Sequence, residues 1–253
     1  DDKDRVIIRE DGRGTYLSAD LAYHRNKLDR GFDTIINVWG ADHHGYIKRI
    51  EATIEAMGYS KKQMQVQLVQ FANLFENGSK VKMSTRSGNF YTLKQLIDDI
   101  GPDASRFYYL SKQADQHLDF DIGIARSNSK DNLYYYIQYA HARISSVEKK
   151  FLELSRPLPK KFNNVDFDDC DELLQMALSA QFVIKSSGES LQPHLIIYYL
   201  RDIAQNFHQF YNNVNILNAD ERYKNNIMRT LMIVKSVIAS SLHLLGIEPL
   251  ENM

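Results

Sequence analysis

Lys82-Met83-Ser84-Thr85-Arg86-Ser87-Gly88 combines two cations, hydroxyl side chains and a glycine that frees the backbone. Such a loop can grip phosphate, because backbone N–H groups and hydroxyls donate to phosphate oxygens while Lys and Arg neutralise them. A solvated basic turn between two strands has the same composition, and composition alone favours that plainer reading. A second candidate is Gly40-Ala41-Asp42-His43-His44-Gly45. It ends an apolar run that predicts a buried parallel strand, and ligands of open α/β sheets bind beyond such carboxyl ends. Glycine lets a ligand approach the backbone, and Asp42 can accept from a pair of ribose hydroxyls. A strand-end turn with polar caps is the plainer alternative. A metal site is disfavoured, because adjacent residues rarely point at one ion.

Tyr16 and Asp20 are four apart where a strand gives way to a helix, so in helical conformation they share a face. A carboxylate beside a phenol can bind a cationic group. Taken alone, the aspartate equally complements a helix dipole. The last candidate is Tyr134-Tyr135-Tyr136-Ile137-Gln138-Tyr139-Ala140-His141-Ala142-Arg143, with Phe207, Phe210 and Tyr211 further on. Tyr135, Tyr139 and Arg143 fall at i, i+4 and i+8, a face suited to stacking on unpaired bases and holding their phosphates. Helix-bundle core accounts for most of these rings, but three consecutive tyrosines cannot all face one core.

The elements that must position these residues follow from periodicity. Strands are expected at Arg5–Arg9, Thr34–Trp39 and Gln65–Phe75. Helices are expected from Ala19, capped by Ser18, to about Arg30, and from about Tyr46 to Met57. That alternation is the grammar of a parallel α/β sheet. Asn77-Gly78 predicts a hairpin. Thr92 and Gln95 predict a capping box for a helix over Leu93–Ile100, and Asp103 caps the next helix, to about Lys112. From about Gly123 helical periodicity takes over, with helices expected at about 123–154, 168–188, 192–214 and 220–245. The expected class is thus α/β plus all-α. Its divisions are 1–75 (half of a nucleotide-binding domain), 76–122 (the loop region with connecting helices) and 123–253 (a helical domain).

Composition sets few further limits. Of 253 residues, 43% are hydrophobic and 25% charged, as in a soluble globular chain. Net charge is −1, so any nucleic-acid surface must be a local patch. The single cysteine, Cys170, precludes an intramolecular disulfide and fits a reducing cytoplasm. No apolar run is expected to reach a membrane span. The acidic start running straight into Arg5–Arg9 suggests a cut inside a longer protein.

Taken in order, these stretches resemble the second half of a bacterial arginyl-tRNA synthetase of class I. Thr15–His24 is similar to the family's Tyr-x-x-x-Asp arginine-binding segment, and Gly40–Gly45 to the class I Gly-x-Asp nucleotide segment. Lys82–Arg86 is similar to the class I KMSKS loop, and Gly101–Phe107 to the segment after it. Tyr139–Arg143 and the terminus Leu245–Met253 are similar to the family's helical anticodon-binding domain and its closing methionine.

The resemblance implies a partial Rossmann-like catalytic domain followed by a helical anticodon-binding bundle. It also implies roles. Tyr16, Asp20 and His43 would hold L-arginine. Gly40, Asp42, His44, Lys82, Met83 and Ser84 would bind ATP, with Mg2+ accompanying it. Lys82, Ser84 and Arg86 would stabilise the triphosphate as pyrophosphate leaves. Tyr135, Tyr139, Arg143, Tyr211 and Met253 would meet tRNA(Arg). No dedicated protein metal site, no membrane and a cytoplasmic monomer are expected.

Two departures stand out. Thr85 replaces a lysine usual in the family's loop, and a threonine hydroxyl adds no charge. No His-x-Gly-His occurs anywhere in the chain. The expectation is therefore a C-terminal piece of an arginine–tRNA ligase, inactive alone. The alternatives are a non-catalytic RNA-binding module and a related enzyme for another amino acid.

Overall fold

Thr15 sets where the first helix begins. Its side chain accepts from the Ser18 N–H at 3.4 Å and donates to the Val6 carbonyl at 3.0 Å. The structure, a computed structural model, describes residues 4–76, 78–81, 91–154, 157–163, 170–214, 216 and 219–253, apart from the side chains of Glu221 and Arg222. Helix α1 runs Tyr16–Asp29 rather than from Ala19. Ser18 is not the cap, because it turns its hydroxyl back to the Thr15 carbonyl at 2.8 Å. The expected strand Arg5–Arg9 is reduced to an isolated bridge between Ile8 and Gly14, and Val6, Ile7 and Ile8 stay exposed.

Strand β1 (Ile35–Gly40) and strand β2 (Met64–Val69) pair in parallel, Ile35 opposite Met64 through Gly40 opposite Val69. A short 3-10 helix, Ala41–Tyr46, and helix α2 (Ile47–Ala56) make the crossover. Ile50 and Ile54, one turn apart, are fully buried with Leu28, Ile35 and Met64 in a small core. β1 alternates, with Ile35 and Asn37 inside and Ile36 and Val38 exposed.

The expected strand Gln65–Phe75 is two strands. After β2, Gln70 donates its N–H to the Ala114 carbonyl at 2.7 Å, and β3 (Ala72–Glu76) joins a different sheet. There β3 pairs antiparallel with β4 (Ser79–Lys80) and parallel with β5 (Leu118–Asp121). The hairpin stands where expected, with Gly78 at φ +75°; Asn77 lies outside the described residues. β5 was not anticipated, although Leu118-Asp119-Phe120-Asp121 alternates at the strand period.

The chain divides into two compact units, Asp1–Phe71 with Ala114–His117, and Ala72–Gln113 with Leu118–Met253. Most of the segment 76–122 thus shares a unit with the helical part. Phe107 gives the reason: helix α4 (Pro102–Leu110) buries it in the core of the helical bundle. Before α4, helix α3 (Leu93–Ile100) carries the Thr92/Gln95 capping box as expected. α4 itself starts at Pro102, after Gly101 at φ +85°, so Asp103 is inside the first turn and not the cap.

Beyond β5 lie α5 (Ile122–Arg126), α6 (Leu133–Glu153), α7 (Asp171–Leu178), α8 (Ala180–Ser190), α9 (His194–Asn213) and α10 (Glu221–Leu244). The expected helix 123–154 breaks at Asn132. This buried side chain caps α6 by accepting from the Tyr135 N–H (3.1 Å), donates to the Ala125 and Ser127 carbonyls, and accepts from the Tyr108 hydroxyl. The expected helix 168–188 breaks at Ser179, whose hydroxyl returns to the Met176 carbonyl.

One helical stretch, Tyr223–Leu244, is long and apolar enough to cross a membrane by length and composition, which corrects the sequence expectation. Its Met228, Leu231, Val234, Ile238 and Leu242 are fully buried in the bundle core.

Candidate functional site

In the first unit, Asp20 lies in the second turn of α1, and its Oδ2 accepts from the Tyr46 hydroxyl at 2.8 Å. Tyr46 ends the 3-10 helix that follows β1, so this bond ties α1 to the strand end. Burial first, and then the bond to Asp20, push the Tyr46 phenol up to about 12. At neutral pH it therefore stays a protonated donor, and the contact fixes the carboxylate's rotation. Tyr16 shares the helix face of Asp20, but its ring is 90% exposed.

A buried polar chain runs behind this pair. Lys27 Nζ donates to Asn37 Oδ1 at 2.9 Å, and Asn37 Nδ2 lies 2.9 Å from His24 Nε2. His24 Nδ1 lies 2.8 Å from the Asp20 carbonyl. A carbonyl only accepts, so Nδ1 carries the proton and Nε2 accepts from the Asn37 amide. Burial, and then Arg30, hold the Lys27 ammonium below its usual range.

Sequence reasoning missed Tyr46, His24 and Asn37. Two of the three left a signal. His24 continues the four-residue spacing of Tyr16 and Asp20, and Asn37 is the polar member of an apolar strand.

Gly40 leaves room for Asp42: a Cβ there would meet Asp42 Oδ1 at 2.6 Å. The carboxylate thus folds back over the end of β1. His43 Nε2 lies 3.7 Å from Asp42 Oδ2, and both side chains are exposed. His44 is exposed beside them. These are open, hydrated groups, suited to meeting a polar ligand rather than to packing.

Lys82, Met83, Ser84, Thr85 and Arg86 lie outside the described residues. The residues around that stretch are fixed in the second unit. Val81 donates its N–H to the Leu74 carbonyl at 2.8 Å. The Tyr91 hydroxyl donates to Asp99, and Arg126 bridges Asp99 and Glu76. Hydrogen bonds from Arg126 and then Tyr91 hold the Asp99 carboxyl below the usual carboxylate range.

The three tyrosines of α6 do not all face one core: Tyr134 and Tyr136 pack against it and Tyr135 does not. Tyr134 meets the buried Phe107 ring at 5.6 Å. Tyr136 meets His208 at 4.5 Å. Tyr135 stacks on Tyr139 at 6.0 Å with the planes 13° apart. The Arg143 guanidinium lies 4.7 Å from the Tyr139 ring and 4.2 Å from the Tyr211 ring. Its Nη2 donates to the Tyr139 hydroxyl at 3.1 Å. Tyr135, Tyr139, Arg143 and Tyr211 therefore form one half-buried aromatic and cationic surface across α6 and α9, whereas Phe207 and Phe210 are core. Such a surface offers π faces to bases and a cation to phosphate.

Met253, half exposed, ends a strap laid along α6. Gln138 Nε2 donates to the Glu248 carbonyl (2.8 Å), Gln138 Oε1 accepts from the Leu250 N–H (2.9 Å), and His141 Nδ1 donates to the Leu250 carbonyl (2.8 Å). Among the described residues no group of three or more His, Cys, Asp or Glu converges as a metal site.

Two family matches fit this geometry. Residues 2–120 match the catalytic domain described as "tRNA synthetases class I (R)", and residues 137–253 match the DALR anticodon binding domain. Together they define a class I aminoacyl-tRNA synthetase architecture, catalytic segment first and anticodon-binding bundle second.

Curated relatives narrow it. The chain is 43% identical over 258 residues to the arginine–tRNA ligase of Halorhodospira halophila, with all of this chain and 44% of that one covered. It is 44% identical over 254 residues to that of Nitrosomonas europaea, covering 43% of it. A solved structure from Campylobacter jejuni, assigned as an arginyl-tRNA synthetase, superposes at TM-score 0.88 and 38% identity, over all of this chain and 55% of that one. The Thermus thermophilus arginyl-tRNA synthetase shares the fold at TM-score 0.80 and 18% identity, over 98% of this chain and 51% of that one. The chain belongs to the arginyl-tRNA synthetase family, and it spans less than half the length of these curated relatives.

Proposed function

We propose that this chain is the C-terminal portion of a cytoplasmic, monomeric arginine–tRNA ligase. In the complete enzyme a carboxylate oxygen of arginine attacks the α-phosphorus of ATP, and pyrophosphate leaves. The terminal ribose hydroxyl of tRNA(Arg) then attacks the carbonyl carbon of the adenylate, and AMP leaves. Such chemistry rests on positioning and charge stabilisation more than on covalent help. The observation that carries this reading is the Tyr139–Arg143–Tyr211 stack, which lies within the residues matched as an anticodon-binding domain.

Asp20, held by Tyr46, receives the substrate guanidinium, with Tyr16 and His43 beside it. Asp42 accepts from the ATP ribose over Gly40, near His44. Lys82, Met83, Ser84 and Arg86 close on the triphosphate. Mg2+ travels with the phosphates rather than in a protein cage. Tyr135, Tyr139, Arg143, Tyr211 and Met253 meet the anticodon region.

The isolated chain lacks the His-x-Gly-His signature, so it is expected to bind tRNA(Arg) and to give no ATP–pyrophosphate exchange. Exchange at an ordinary enzyme rate would overturn the assignment as a portion. Arg143→Ala should weaken tRNA(Arg) binding by the chain about tenfold or more, and unchanged affinity would overturn the RNA-surface assignment.

A further inference from the structure

His208 belongs to none of the roles above, yet it lies behind the cation of the RNA-facing stack. It projects from α9, is 7% exposed, and has well-defined partners on both ring nitrogens. Nε2 lies 3.2 Å from the Tyr136 carbonyl. Nδ1 lies 3.4 Å from Arg143 Nη1. A carbonyl can only accept and a guanidinium can only donate. The two partners thus demand the same species, a neutral imidazole with its proton on Nε2 and its lone pair on Nδ1. The ring is also held by its neighbours, stacked with Tyr139 at 5.7 Å and 26° and tilted against Tyr136 and Phe207.

Arg143 is consequently aimed from two sides. Nη1 is held by His208 and Nη2 by the Tyr139 hydroxyl, and this sets the guanidinium plane between the Tyr139 and Tyr211 rings. We propose that His208 is the positioning residue of the RNA-binding surface, an acceptor that fixes the Arg143 guanidinium in the orientation in which it meets RNA. This rests on the reading of that surface given above.

A neutral His208 is an acceptor; a protonated one is a donor facing another donor, with a second positive charge beside Arg143. The charged group acting on the ring is Arg143 of α6. The phenols facing it are those of Tyr136 and Tyr139 on α6, and burial holds Tyr136 above its ordinary range. Burial is the chief cause that keeps the imidazole below its ordinary 6.5. Protonation therefore displaces Arg143. The direction of the effect is diagnostic, because an extra surface cation that only added charge would tighten RNA binding on acidification.

The test is the affinity of the whole chain for a tRNA(Arg) transcript between about pH 8 and about pH 5 at fixed ionic strength. Wild type should weaken about tenfold toward the acid end. His208→Asn places an amide oxygen where Nδ1 stands and does not titrate. It should bind within about threefold of wild type at the alkaline end and show a flat profile. A wild-type profile that is flat or tightens with acid overturns the proposal, and so does an unchanged slope in His208→Asn. Arg143→Ala separates the two levels. If it binds as wild type, the surface assignment itself fails. If it weakens binding while the wild-type profile stays flat, only the role of His208 fails.

Discussion

The two units keep their polar groups in opposite ways. In the first, Asp20, Asp42, His43 and Tyr16 sit on a two-stranded sheet and two helices with a small core of Leu28, Ile35, Ile50, Ile54 and Met64. Ile36, Val38, Val69 and Phe71 remain exposed there. In the second, Tyr135, Tyr139, Arg143 and Tyr211 stand on helices whose core runs from Phe107 to Ile247. The lesson concerns preorganisation. Where a large core fixes the helices, one or two hydrogen bonds suffice to aim a side chain such as Arg143. Where the core is small, the aim depends on a longer polar chain, Lys27 to Asn37 to His24 to the Asp20 backbone, with Tyr46 holding the carboxylate.

The contrast can be broken by stability measurements. Phe207 is fully buried, so Phe207→Ala should lower unfolding free energy by about 3–5 kcal/mol in a denaturant titration. Ile54→Ala, in the small core, should lose about 2 kcal/mol, because few packed neighbours resist collapse around the gap. Equal losses would remove the distinction. Asn132→Ala removes the α6 cap and leaves the Ala125 and Ser127 carbonyls without their amide donor. It should lower stability by about 1–3 kcal/mol, read in the same titration.

The smallest expected effect is on pH dependence. Burial chiefly holds His141 and His208 below their ordinary 6.5, so the unfolded chain takes up protons first. Stability from these two groups is complete above about 6.5 and is lost as pH falls through their lowered folded values. Melting temperature should therefore drop over that window, and replacing both histidines with asparagine should flatten it.

Much of this arrangement was legible in the residues. The Thr92/Gln95 capping box and the hairpin at Gly78 depend on local geometry, and both stand where local chemistry puts them. The β1–α2–β2 alternation, the spacing of Tyr135, Tyr139 and Arg143, and the failure of Tyr134–Tyr136 all to face one core were equally local. What escaped depends on distant partners. The split between β2 and β3 follows from the Gln70 bond to Ala114, and β5 exists because β3 lies alongside it. The break before α6 comes from an asparagine whose partners sit on α4 and at the end of α5. Tyr46 found its role only when α1 came within reach of the 3-10 helix.

The strap along α6 has a practical consequence. Gln138, His141 and Asp103 hold the main chain of Glu248 and Leu250, while His243 and Lys235 hold the side chains of Glu248 and Glu251. The main-chain part of its attachment therefore carries no sequence information of its own. Alanine at Leu250 leaves these main-chain bonds in place and alanine at Glu251 removes the ion pair with Lys235, whereas one altered letter at Gln138 removes two of the main-chain bonds at once. The letters to compare among homologous tails are thus those at Asp103, Gln138, His141 and Lys235, with the tail's own Glu251.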